Sequence, residues 1–122
     1  MVIVNMEIAE QLLCWYEERD VDAEAYYREF RLNDGSGLSP ARIHDLTLKA
    51  SILNTIERLL VSGVLFQGLR YKVDLQDLAA QIVYLRRVER MEIPLPGNAK
   101  ELQKLLTAYR RHGYIVNVLN RK

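Results

Sequence analysis

The stretch from Ser39 to Gly63 constrains this chain most. Ser39-Pro40 is a helix start: a hydroxyl that can cap free backbone N–H groups, then a ring whose fixed φ suits the first helical position. From there Ile43, Leu46, Ala50, Leu53, Ile56 and Leu60 recur at three- and four-residue spacing, and Leu48, Ile52 and Leu59 add a second stripe. A helix that is apolar on two sides must be covered on both, which puts it at the centre of a core.

The flanking segments supply the cover. Met1-Val2-Ile3-Val4 reads as a short strand or a packed lead-in. From Asn5 a helical stripe carries Ile8, Leu12, Trp15 and Tyr16. Asp20 or Asp22 can cap a second helix with Ala23, Tyr26, Tyr27 and Phe30 at helical spacing, because a carboxylate accepts from free N–H groups and suits the helix dipole. The loop NDGSG at 33–37 ends it. After Ser62-Gly63 come Val64-Leu65-Phe66, the turn Gln67-Gly68, and Leu69-Arg70-Tyr71-Lys72-Val73, which alternates as a half-exposed strand does. Asp74 can cap a further helix with Leu75, Leu78, Ile82, Leu85 and Val88 facing inward, and Pro94 and Pro96 close that region. Asn98 opens the last helix, with Leu102, Leu105, Leu106 and Tyr109 on one stripe, and Gly113 is a left-handed stop. Residues 114–119 alternate and predict a final strand. The expected fold is a mainly helical α+β domain of about five helices, with a hairpin near 64–73 and a strand at 114–119.

A chain of 122 residues fits one domain spanning 1–122. Its 49% apolar and 27% charged residues are ordinary for a globular protein. Uncharged apolar runs are only a few residues long, and the N-terminus lacks the basic start and apolar stretch of a signal peptide, so a cytoplasmic protein with no membrane partner is expected. The net charge of +1 is unevenly placed. Residues 1–30 hold eight acids against Arg19 and Arg28, a balance of −6. Residues 100–122 hold Lys100, Lys104, Arg110, Arg111, Arg121 and Lys122 against Glu101, a balance of +5. Such a division serves a basic nucleic-acid surface, or attraction between the two ends within or between chains.

Catalytic patterns are missing from the sequence. Cys14 is the single cysteine and reads as a small hydrophobe between Leu13 and Trp15. His44 and His112 lie far apart, and His44 and Asp45, adjacent on a helix, point away from each other. One cysteine and two histidines fall short of a zinc set. Gly35-Ser36-Gly37 lacks the following Lys-Ser/Thr and the preceding strand of a phosphate loop. The expectation is a non-enzymatic protein with no cofactor, no metal and no small-molecule ligand.

Residues 38–73 resemble a winged helix-turn-helix. In that superfamily a helix pair precedes a two-stranded wing, and Leu59-Leu60-Val61-Ser62-Gly63-Val64-Leu65 followed by Arg70-Tyr71-Lys72-Val73 is similar to its recognition-helix end and wing strand. The resemblance implies a recognition helix at 51–60 presenting Ser51, Asn54, Thr55 and Arg58 to the major groove, with Arg70 and Lys72 on the wing toward phosphates. Hydroxyl, amide and guanidinium groups are what base edges and phosphates require. Arg86 and Arg87 on the following helix, and Arg110 and Arg111 in the YRRHGY segment, interleave arginine with aromatics in a way that suits phosphate contact and stacking. The superfamily places a turn between its two helices, near 48–50, where this chain has no Gly, Pro or Asn. An unbroken helix over 40–62 fits the stripe equally well. The first arrangement gives a DNA-binding regulator. The second favours a protein–protein interaction or assembly subunit, acting as an adaptor, an inhibitor or a self-associating helical protein.

Overall fold

A computed structural model describes residues 19–66, 68–90 and 92–119. The expected lead-in at 1–4, the helix from Asn5 and Cys14 lie outside the described residues. The described chain is mainly helical, with five helices and one two-stranded antiparallel sheet.

The first helix, α1 (Val21–Glu29), is capped by Asp20, whose Oδ1 accepts from the Ala23 N–H at 3.0 Å. Ala23 and Tyr27 form its buried face. A tight loop follows, held by an Arg31–Gly37 bridge and by Asp34 accepting from both the N–H and the hydroxyl of Ser36.

The second helix, α2 (Pro40–Ser62), runs without interruption. Ser39 caps it by accepting from the Arg42 N–H at 3.2 Å, and Gly63 ends it by donating to the Leu59 carbonyl at 2.8 Å. Gly63 adopts φ +71°, and a Cβ there would collide with the Tyr71 carbonyl oxygen. One residue therefore both stops the helix and lets the returning strand pass close by, a double demand that only glycine meets.

That strand belongs to the hairpin β1 (Val64–Phe66) and β2 (Leu69–Tyr71), with Val64 opposite Tyr71 and Phe66 opposite Leu69. Gly68 takes φ +77° in the turn, as a two-residue hairpin connection demands. Next, α3 (Leu75–Arg87) opens on a capping box in which Asp74 accepts from the Asp77 N–H and Asp77 accepts from the Asp74 N–H. Then α4 (Ala99–His112) is capped by Asn98, which accepts from the N–H groups of Lys100 and Glu101.

The core is in two parts, and α2 belongs to both. Its first half joins Ala23, Tyr27, Leu46 and Ala50 against α1. Its second half packs Ile52, Leu53, Ile56 and Leu59 with Leu78, Ile82 and Leu85 of α3 and Leu102, Leu105 and Leu106 of α4. Most of these side chains are fully buried. Each of the buried Leu and Ile side chains contributes about 1.5–3 kcal/mol by leaving water.

Two expectations change. Residues 114–119 form a short helix, α5 (Ile115–Leu119), rather than a strand. The two strands of the hairpin pair only with each other. Helical spacing instead turns Tyr114 and Val118 toward the α1 side of the core and Val116 toward the other part, so packing overrides β-propensity. Val88 points outward, 59% exposed, because as the helical C-cap of α3, its N–H donating to the Tyr84 carbonyl, it falls four residues after Tyr84 on the outer face. No helix of the described residues is long and apolar enough to cross a membrane.

Candidate functional site

The residues assigned to a nucleic-acid face do not share one surface. Ser51 and Thr55 are buried on α2. The Ser51 hydroxyl donates to the Thr47 carbonyl and accepts from the Asp20 N–H, and the Thr55 hydroxyl donates to the Ser51 carbonyl. Asn54 is half-buried and bonded on both ends of its amide, donating to Asp20 and accepting from Tyr109. Arg58 is exposed and donates to the Thr55 hydroxyl at 3.0 Å. The polar groups that a recognition helix would hold outward are thus turned into the protein, because a helix covered on both sides has little outward face.

The other arginines divide between internal contacts and solvent. Arg70 donates to the Ser62 carbonyl at 2.6 Å and ties the hairpin to the end of α2. Arg86 donates twice to the Ile93 carbonyl, at 3.1 and 2.9 Å, and straps the 93–96 segment to α3. Arg110 pairs with Glu57 at 2.6 Å, and this contact raises its affinity for its proton further. Lys72, Arg87 and Arg111 are exposed.

The densest polar arrangement links α1, α2, α4 and α5. The Asp20 Oδ2 accepts from Asn54 at 2.8 Å and from the Tyr114 hydroxyl at 3.0 Å. Tyr27 donates to the Tyr114 carbonyl at 2.8 Å and accepts from the Asn117 amide at 3.1 Å. Burial pushes the Tyr27 phenol up to about 12, and burial and then the bond to Asp20 push Tyr114 up to about 12. Tyr109 is raised as well, first by burial. These phenols stay protonated and act as fixed donors, Tyr114 to the Asp20 carboxylate, Tyr27 to the Tyr114 carbonyl and Tyr109 to the Asn54 amide oxygen. The arrangement holds four helices in register, and it contains no nucleophile beside a base.

Two clefts border α3. One, of about 550 Å³, lies among His44, Asp45, Leu48, Glu92 and Pro94, where Arg19 donates toward the His44 Nδ1 at 3.4 Å. The other, of about 850 Å³, runs between α2, α3, α4 and α5, and Lys49 lines it. Lys49 is 4% exposed, and burial and then the neighbouring Arg42 push its ammonium down to about 8. A signal for it exists in the sequence: at helical spacing Lys49 falls between Leu53 and Ile56, inside the apolar stripe. Nothing in sequence spacing announces the Asp20–Tyr114 pair, which joins residues 94 apart.

On the outer face of α3, Ala80, Tyr84 and Val88 form an exposed row one turn apart. Among the described residues no three His, Cys, Asp or Glu side chains gather where they could hold a metal ion. Fold and surface together define a helical domain built on one central helix with a hairpin at its end. No family model, curated protein or solved structure matches the chain.

Proposed function

We propose that this protein is a non-enzymatic interaction subunit that assembles with a second copy of itself through the outer face of α3. The row Ala80, Tyr84 and Val88 carries this reading, with Tyr84 43% and Val88 59% exposed. Side chains four residues apart form a ridge that packs into the groove of a facing helix. The same face begins at Asp77 and ends at Arg87. An antiparallel pairing about a twofold axis sets Arg87 of one copy toward Asp77 of the other, so the surface is complementary to itself. A cytoplasmic location, read from the sequence, belongs to the same proposal.

The winged-helix reading has less support. It depends on a turn within 46–51, where α2 is continuous, and on outward display of Ser51 and Thr55, which bond inward. Light scattering after size exclusion tests the proposal over about 1 to about 300 µM, a span that covers weak and strong dimers. A mass rising from 14.2 kDa toward twice that value is expected, and Tyr84→Glu with Val88→Glu should hold the chain at monomer mass. A single-chain mass at every concentration overturns it. Duplex-DNA binding that weakens steeply with salt and falls on Arg58→Ala with Lys72→Ala would restore the nucleic-acid reading.

A further inference from the structure

Lys49 is an unusual side chain for its place. Lys49 is 4% exposed in the apolar stripe of the central helix, and no hydrogen bond or ion pair joins it to another described residue. The fully buried polar side-chain atom without a partner among the described residues is Asn117 Oδ1, so the Lys49 ammonium meets the groove rather than the closed core. An ammonium at the head of a mostly apolar groove keeps only part of its hydration, and a carboxylate can replace that water. The groove it lines has nearly buried apolar walls in Leu95, Leu105 and Val116, with the exposed Leu119 at its edge. The charged groups facing this space are Arg86 from α3 and Glu101 and Lys104 from α4, while Arg42 acts on Lys49 along α2. Glu101 and Lys104 approach each other at 3.5 Å, which leaves Lys49 and Arg86 as uncompensated positive charge. Arg86 already gives two donors to the Ile93 carbonyl, and its Nη1 turns instead toward Gly97, where a Cβ would lie 3.5 Å from it.

We infer that this groove is a binding site for a small apolar monocarboxylate, with the carboxylate on Lys49 and the hydrocarbon body along Leu95, Leu105 and Val116. One negative charge matches one unpaired ammonium, and the partly engaged Arg86 offers it a second, weaker attraction. A phosphate is too strongly hydrated to lie along these apolar walls, and a neutral ligand would leave the ammonium unpaired. The volume of about 850 Å³ suits a molecule of drug or medium-chain size, and the walls exclude a strongly hydrated one. Arg86 stands about 200° around α3 from Tyr84, so the groove and the assembly face occupy opposite sides of that helix and the inference does not depend on the proposed self-association.

Calorimetric titration with decanoate, below its micelle concentration and at neutral pH, tests the assignment, with 1-decanol as the neutral control. One saturable decanoate site is expected, at least tenfold weaker in Lys49→Met, with the weak binding of decanol equal in both proteins. Leu119→Glu, an exposed change that leaves folding intact, should weaken decanoate about fivefold by placing a like charge at the mouth. Affinity for decanoate should decline as pH rises above 8 in the natural chain and stay level in Lys49→Met. Equal decanoate affinity in Lys49→Met, decanol binding as tight as decanoate, or no saturable decanoate site overturns the inference.

Discussion

Replacing Lys49 with Met should stabilise this protein at neutral pH, and the gain should fade as pH rises. The Lys49 ammonium titrates near 8 in the folded chain because burial, and then Arg42, disfavour its charge, against 10.5 for a free lysine. A folded value below the unfolded one means that the unfolded chain binds more protons between about pH 8 and about 10.5, so stability from this group rises with pH across that window. Below about pH 8 both states are protonated and the folded state carries the whole penalty. The difference from 10.5 to about 8 corresponds to about 3 kcal/mol, and water reaching the groove reduces it to about 2 kcal/mol. Methionine keeps the length and apolar stem of lysine without its charge, so packing is conserved. Urea unfolding followed by circular dichroism, for both proteins at about pH 7, about 8.5 and about 9.5, gives the comparison. Lys49→Met should lead by about 2 kcal/mol at the lowest pH and by about 1.3 kcal/mol at the highest. Tyr27 and Tyr114, raised to about 12, contribute stability that is present below pH 10 and lost above it, so the range stops short of their titration. A Lys49→Met protein less stable at pH 7, or ahead by the same margin at every pH, refutes the account of Lys49 as a buried unpaired charge.

Two substitutions test the frame around that site. Gly63→Ala should cost about 2–4 kcal/mol in urea unfolding, since it combines a left-handed φ with a collision at the Tyr71 carbonyl; a loss under about 0.5 kcal/mol would mean that the hairpin does not return over this residue. Asp20→Ala removes a helix cap and the acceptor shared by Asn54 and Tyr114, and should cost about 2–4 kcal/mol, whereas a plain exposed cap would cost about 1 kcal/mol.

Local chemistry made much of the fold legible in the sequence. Ser39-Pro40 and Gly63 mark both ends of α2, Asp74 and Asn98 mark the starts of α3 and α4, and the alternation after Gly68 marks β2, because each signal acts through bonds within a few residues. One of the two misassigned features depends on distant partners. Residues 114–119 have strand-like alternation but become a helix because Tyr27 and Asp20, about ninety positions earlier, hold Tyr114 and Asn117. Val88 follows Leu85 at helical spacing, yet four residues after Tyr84 it continues the outer face of α3. The candidate sites were least legible. Ser51, Asn54 and Thr55 have the composition of a reading surface, and only the path of α2 decides whether they face outward.

That path also limits where recognition can occur. A helix that lies in a DNA groove must leave one long face uncovered, so that base edges meet its side chains. Here α1 and α5 cover one part of α2, while α3 and α4 cover the rest, and the buried hydroxyls of its middle, Thr47, Ser51 and Thr55, bond to their own helix or to Asp20. Taking α2 into a groove would break the Asp20 network and uncover a core of fully buried Leu and Ile, at far more than the few kcal/mol that base contacts return. Recognition must therefore use what α2 supports rather than α2 itself. Two such places differ from their surroundings in a physical way: the outer ridge of α3, apolar where solvent would favour polar groups, and the groove around Lys49, charged where a core would favour apolar ones.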